Sequence, residues 1–153
     1  MRAPHRLLSL AVLLLLPAAA LAATGCSTDE AASPSGTGAP TEAAGYATVD
    51  VRTANDALSS DDAAQIVDVR EPEEWAETGV PQGAVLIPLA EVESRAPAEL
   101  DAGSPVYVIC RSGNRSRTGS DILVGLGFTE VYNVDGGVTA WLDAGLPAET
   151  YQP

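Results

Sequence analysis

The chain contains no lysine, so its eight basic residues are all arginines, and its 153 residues include only one histidine, one phenylalanine and two cysteines. Twenty-one acids against eight arginines give a formal net charge of −13. Each scarcity excludes something. Binding a phosphate backbone needs clustered Lys and Arg, so nucleic acid is not an expected partner. The single histidine is His5, close to the N-terminus, and there is no Cys-x-x-Cys pair. A zinc site of the usual Cys/His type therefore has no ligands to draw on, and neither a metal nor a cofactor is expected. The two cysteines, Cys26 and Cys110, stand in unrelated surroundings, so a bridge between them is not expected either.

The residues before Tyr46 cannot build a core. Arg2, His5 and Arg6 precede an apolar run from Leu7 to Leu16, and small residues follow. That is the pattern of a secretory signal, with an apolar stretch shorter than the roughly 20 residues a membrane span needs. Leu21-Ala22-Ala23-Thr24-Gly25-Cys26 resembles a bacterial lipobox, with alanine at position 23 where leucine is more usual. The resemblance implies that residues 1–25 are a lipoprotein signal peptide and that Cys26 becomes the lipidated N-terminus. It also implies a location in the cell envelope, outside the cytoplasm, held to the membrane by lipid alone. Residues 26–45 are mostly Ser, Thr, Ala, Gly and Pro without apolar periodicity, and read as a flexible tether.

From Tyr46 the pattern changes, and the 108 residues to Pro153 suffice for one ordinary core. Strands are expected at 47–51, 65–69, 85–87, 106–109 and 130–134. Helices are expected at 53–59, 71–77, from Leu89 to about Leu100, at 116–126 and at 137–143. Strand and helix alternate throughout, so the class is α/β with a mainly parallel sheet. Val106-Tyr107-Val108-Ile109 is too uniformly apolar for a half-exposed strand and belongs at the centre. Ligands of such sheets bind beyond the carboxyl ends of the strands, where Cys110 follows Ile109 directly.

Cys110-Arg111-Ser112-Gly113-Asn114-Arg115-Ser116 leads from that central strand into a helix. A thiol facing a helix N-terminus sits among unpaired backbone N–H groups, which favour its anion and depress its pKa. Gly113 allows a tight curl, and Arg111, Arg115 and Arg117 make a local positive island on an acidic chain. A thiolate in an anion cradle serves sulfur transfer, phosphoryl transfer or thiol redox, although no second cysteine of the domain is present to resolve a redox step. Arg111, beside the nucleophile, is expected to point to the pocket mouth and steer substrate. Arg115 either meets substrate or pairs with an acid; the sequence leaves both open. Asp68 and Arg70, at the end of an earlier strand, are expected to form an ion pair that fixes loops.

This loop resembles the active-site loop of single-domain rhodaneses, the thiosulfate sulfurtransferase-like proteins. Asp68-Val69-Arg70-Glu71 with Glu74-Trp75, Gly79 with Gly83-Ala84 and Ile87-Pro88, and Asp135-Gly136-Gly137 with Trp141 and Gly145-Leu146-Pro147 resemble further segments of that family, in the same order. Where many members carry Gly-His-Ile-Pro-Gly-Ala, this chain has Gly79-Val80-Pro81-Gln82-Gly83-Ala84. The resemblance implies a rhodanese-like domain over residues 46–153, with a five-stranded, mainly parallel sheet and helices on both faces. It implies a monomer in which Cys110 accepts sulfur from a small anionic donor such as thiosulfate and passes it to a thiol or a protein acceptor. Residues 111–116 would form the substrate-binding loop. Two rival functions share this loop type: a sulfur-carrier or sensor module that loads without turnover, and a phosphatase or arsenate reductase. Cys110 to Arg115 is Cys-x4-Arg, one residue shorter than the Cys-x5-Arg of the phosphatases. The smaller curl suits a single sulfur atom better than a tetrahedral phosphate.

Overall fold

The computed structural model describes residues 41–43 and 45–153. The expected signal peptide, Cys26 and most of the expected tether lie outside the described residues.

Within them the chain runs β1 (Thr41–Ala43), β2 (Tyr46–Val49), α1 (Val51–Ser60), β3 (Gln65–Asp68), α2 (Pro72–Thr78), β4 (Val80–Pro81) and β5 (Val85–Leu86). A 3-10 turn (Leu89–Glu91) then leads to α3 (Val92–Glu99), β6 (Val106–Ile109), α4 (Asn114–Gly125), β7 (Val131–Val134), α5 (Gly137–Asp143) and β8 (Ala148–Glu149). Five strands run parallel in the spatial order β2, β7, β6, β3, β5. β6 is central, between β3 and β7, and all four of its side chains are buried. Burying such a residue contributes about 1.5–3 kcal/mol, so the strand that carries Cys110 is anchored by its own hydrophobicity.

Alternate residues of the strands feed two cores. Val106 and Val108 pack with Val92 and Ala96 of α3 and Leu123 of α4 on one face. Tyr107 and Ile109 pack with Val51 and Ala54 of α1 and Val138 and Trp141 of α5 on the other. Tyr107 stacks on Tyr132 of the neighbouring strand at 4.8 Å between ring centroids. The architecture is the expected α/β fold, a mainly parallel sheet with helices on both faces.

Several boundaries differ from those the sequence implies, each for a local reason. Val51 belongs to α1 and not to the first strand, because the Asp50 carboxylate accepts from the amides of Arg52 and Thr53 at 2.8 and 2.9 Å and caps the helix. The helix expected from Leu89 to Leu100 is broken near Glu91. The amide of Glu91 bonds the Pro88 carbonyl at 2.7 Å in a 3-10 turn, and the α-helical part begins at Val92. α4 starts two residues earlier than expected, after Gly113 turns the chain at φ 97°. Two short ribbons include strands that carry no periodicity in the sequence. β1 pairs antiparallel with β2 within what reads as tether, and β4 pairs antiparallel with β8. The second ribbon brings the C-terminal segment under α2, where Tyr151 meets Trp75 edge-on at 5.5 Å.

Candidate active site

β6 ends at Ile109, and the chain curls through residues 110–113 into the first turn of α4. Cys110 lies at the floor of this curl and is 1% exposed. The amide of Gly113 donates to its sulfur at 3.2 Å, and the Ser116 hydroxyl oxygen lies 3.5 Å from it. Burial pushes the Cys110 thiol up, but the contact with the Ser116 side chain and hydrogen bonds from the amides of Ser116, Ser112 and Gly113 outweigh that effect. Its pKa therefore lies below the ordinary thiol value.

The curl is held from outside by the start of α5. The amides of Val138 and Thr139 donate to the carbonyls of Cys110 and Arg111 at 2.8 and 3.1 Å. With its carbonyls bonded outward, the loop turns its amides inward to the sulfur. Gly137, at φ +58°, makes this approach possible, since a Cβ there would collide with the Cys110 carbonyl and the Arg111 backbone. Gly119 lets α4 lie close to the sheet; a Cβ would stand 3.1 Å from the Val108 side chain.

The arginines do not form one positive island. Arg115 donates from both terminal nitrogens to the Glu74 carboxylate, at 2.6 and 2.7 Å. Of the two roles the sequence leaves open for Arg115, the geometry has it paired with an acid. Glu74 also accepts from the Glu71 amide at 3.2 Å, so one side chain caps α2 and braces the loop. The Arg115 guanidinium beside Glu74 holds that carboxyl at about 2, against the opposing effect of burial. Arg117 stands 3.5 Å from Asp135, with both side chains more than half exposed. Arg111 has no ion-pair partner among the described residues. It lines a cleft of about 210 Å³ with Glu77, Thr139, Leu142 and Asp143. Ser112 and Asn114 are exposed on the rim, whereas Gly113 and Ser116 are buried.

Asp68 and Arg70 form a buried ion pair at 2.7 Å. The same guanidinium donates to the Thr78 hydroxyl and the Gly79 carbonyl, each at 2.7 Å, and so ties the end of β3 to the end of α2. Neither residue touches Cys110; the pair fixes α2, and α2 presents Glu74 to Arg115.

Asn133 on β7 is a site residue that the sequence reading did not single out. It is fully buried, accepts from the Ser116 hydroxyl at 2.6 Å and donates to the Thr48 hydroxyl at 3.3 Å. The available signal was one polar residue inside the otherwise apolar Val131-Tyr132-Asn133-Val134, since a buried amide needs partners.

To this thiol of lowered pKa in an amide-lined curl, braced by a paired arginine, sequence comparison adds a family. The rhodanese-like domain family matches residues 50–144. The chain belongs to that family. It is 38% identical over 95 residues to the thiosulfate sulfurtransferase GlpE of Pseudomonas putida, a match covering 62% of this chain and 84% of that protein. It is 43% identical over 84 residues to YrkF of Bacillus subtilis, to which a sulfur-carrier role is ascribed, covering 55% of this chain but only 44% of that one. Among solved structures it resembles a rhodanese-related protein of Thermoplasma volcanium at TM-score 0.59 and 28% identity, covering 68% of this chain and 98% of the other. A rhodanese of E. coli solved with anions superposes at TM-score 0.51 and 32% identity, covering 57% and 99%.

Proposed function

We propose that this rhodanese-like protein is a sulfurtransferase that moves sulfane sulfur through a Cys110 persulfide. The observation that carries the reading is the Cys110 sulfur itself, buried, activated and aimed at by loop amides. In the first half-reaction the Cys110 thiolate attacks the outer sulfur of thiosulfate. The sulfur–sulfur bond of the donor breaks, sulfite leaves with the electron pair, and a persulfide with a terminal anionic sulfur remains. The loop amides and Arg111 stabilise the charge as it develops on the donor and on that terminal sulfur. In the second half-reaction a thiolate or cyanide attacks the outer sulfur, and Cys110 departs as the thiolate. No general base is needed, because the thiol is already lowered.

A sulfur-carrier role, in which the domain loads once and awaits a protein acceptor, is favoured only by the similarity to the Bacillus protein. A phosphatase of this loop type would turn Arg115 on the phosphate, but here both terminal nitrogens of Arg115 are held by Glu74. Anchoring through a lipidated Cys26 in the cell envelope belongs to the same proposal. Its test is whether Cys26→Ser moves the protein from the membrane fraction to the soluble one.

The test of the chemistry is intact mass before and after thiosulfate, then after cyanide. A gain of about 32 Da on Cys110, lost to cyanide with release of thiocyanate over many cycles, establishes turnover. Loading without repeated release favours the carrier, and no loading at all overturns thiosulfate as donor. Cys110→Ser abolishes the gain while leaving the fold intact.

A further inference from the structure

Behind the sulfur runs a chain of three polar side chains, two buried and the last half-buried: Ser116 Oγ, 3.5 Å from Cys110 Sγ; Asn133 Oδ1, 2.6 Å from Ser116 Oγ; and Thr48 Oγ1, 3.3 Å from Asn133 Nδ2. The parallel register sets Thr48 beside Asn133 on neighbouring strands, and α4 lowers Ser116 onto the same face. Ser116 and Asn133 are wholly buried, so water does not complete their hydrogen bonding.

The Ser116 hydroxyl has one proton and two claimants. An amide oxygen at 2.6 Å has nothing to donate, so the hydroxyl proton points at Asn133 and away from the sulfur. In that arrangement Ser116 offers Cys110 only a lone pair, which suits a neutral S–H and opposes a thiolate. A thiolate needs the hydroxyl proton turned to it. If only the hydroxyl turned, Asn133 Oδ1 would be left buried and unsatisfied, which is costly. Rotation of the Asn133 amide by half a turn removes the conflict. Its nitrogen then donates to Ser116, Ser116 donates to the sulfur, and the Thr48 hydroxyl donates to the amide oxygen. Every member is satisfied in both arrangements, and the amide has nearly the same shape in each.

We infer that Asn133 is a positioning residue that acts on Cys110 through Ser116, its amide setting whether the chain presents the sulfur with an acceptor or with a donor. The inference rests on Cys110 being the nucleophile of the proposed reaction, and it names residues for tuning that nucleophile. On ionisation the Cys110 proton leaves to solvent, and the chain changes polarity without gaining or losing a proton.

Other charged groups stand around the loop. Arg111, Arg115 and Arg117 lie on the loop and α4, Glu71 and Glu74 at the start of α2, Asp135 before α5, and Asp68 with Arg70 at the end of β3.

The experiment is a titration of thiolate ultraviolet absorbance in the full chain, each protein referenced to its own Cys110→Ala counterpart so that Cys26 and the tyrosines cancel. Asn133→Leu removes the competing acceptor with little change of shape, and the Cys110 midpoint falls by about one pH unit, tenfold in thiolate fraction. Asn133→Asp fixes the hydroxyl proton on a carboxylate, and the midpoint rises by a similar amount. Ser116→Ala raises the midpoint, and adding Asn133→Leu to it produces no further shift. An Asn133→Leu midpoint equal to that of the unsubstituted protein overturns the inference, as does a shift that survives in the Ser116→Ala background. Should the aspartate variant fail to fold, the leucine and alanine pair still decides. No sulfur donor enters this measurement, so its failure is separable from a failure of thiosulfate to load Cys110.

Discussion

The amide of Val138 donates to the carbonyl of Cys110 at 2.8 Å, so the peptide group that carries the cradled thiol is gripped by the start of α5. Cys110 is thus placed by two helices: α4 turns N–H groups toward its sulfur, and α5 holds its carbonyl away.

The grip depends on Gly137. Gly137→Ala puts a Cβ on the Cys110 carbonyl and forces alanine into φ +58°. We expect a loss of at least about 2 kcal/mol in stability from the strain and collision. Persulfide formation falls further than stability alone explains, because the amides lose their aim. Chemical denaturation together with the rate of mass gain checks both. A rate unchanged in the folded variant shows that the α5 contact is not needed to shape the loop.

Arg70 is the second fixed point. Its guanidinium satisfies Asp68, Thr78 and Gly79 together inside the protein. Arg70→Met leaves the Asp68 carboxylate buried with no counter-charge and only the backbone amide of residue 70 to bond it, and about 3–5 kcal/mol of stability is lost. Asp68→Asn in the Arg70→Met background recovers part of it, since the stranded charge is gone. Denaturation midpoints of the two variants test this; equal midpoints would mean that the Asp68 charge finds another partner.

The fold was legible because its two signals agree. Val106–Ile109 is uniformly apolar and proves central, and the alternation of strand and helix gives a parallel sheet with two covered faces. The ribbons were not legible. Val80–Pro81 and Ala148–Glu149 are two residues each, and β1 sits in a segment whose composition reads as linker, so no period exists to detect. At the site, the Cys110 curl follows from local chemistry, whereas its braces come from far along the chain. Glu74 and Arg115 are 41 positions apart, and Thr48 and Asn133 are 85 apart. Nothing in either neighbourhood announces the other. The role of Arg115 stayed open because a sequence does not display its partner, Glu74.

The Glu74–Arg115 pair has a consequence for acid stability. Arg115 holds the Glu74 carboxyl at about 2, below the ordinary 4.5. The contribution is therefore complete above about pH 4.5 and is lost as the pH falls toward 2. Because the pair is partly exposed, solvent screening leaves it at no more than about 2 kcal/mol. Glu74→Gln should melt below the unsubstituted protein at neutral pH, and the gap should close across that acid window. A gap that stays constant from neutral pH to pH 2 would assign Glu74 a purely packing role.

Arg70 and Arg111 both line the cleft, but Arg70 is paired with Asp68. Arg111 therefore supplies the unpaired positive charge there among the described residues, and the field it works against is strong. The chain carries a formal −13, and Glu77 and Asp143 line the same cleft. A dianionic donor such as thiosulfate approaches a surface that repels it, except where Arg111 inverts the local sign. Arg111→Ala should raise the KM for thiosulfate about tenfold and change that for a neutral persulfide donor little. The effect should fade with added salt, since exposed charges are screened beyond roughly 10 Å at 0.1 M. Kinetics with the two donors at low and high ionic strength measure this. An equal loss for both donors, indifferent to salt, would show that Arg111 shapes the loop and does not attract the substrate.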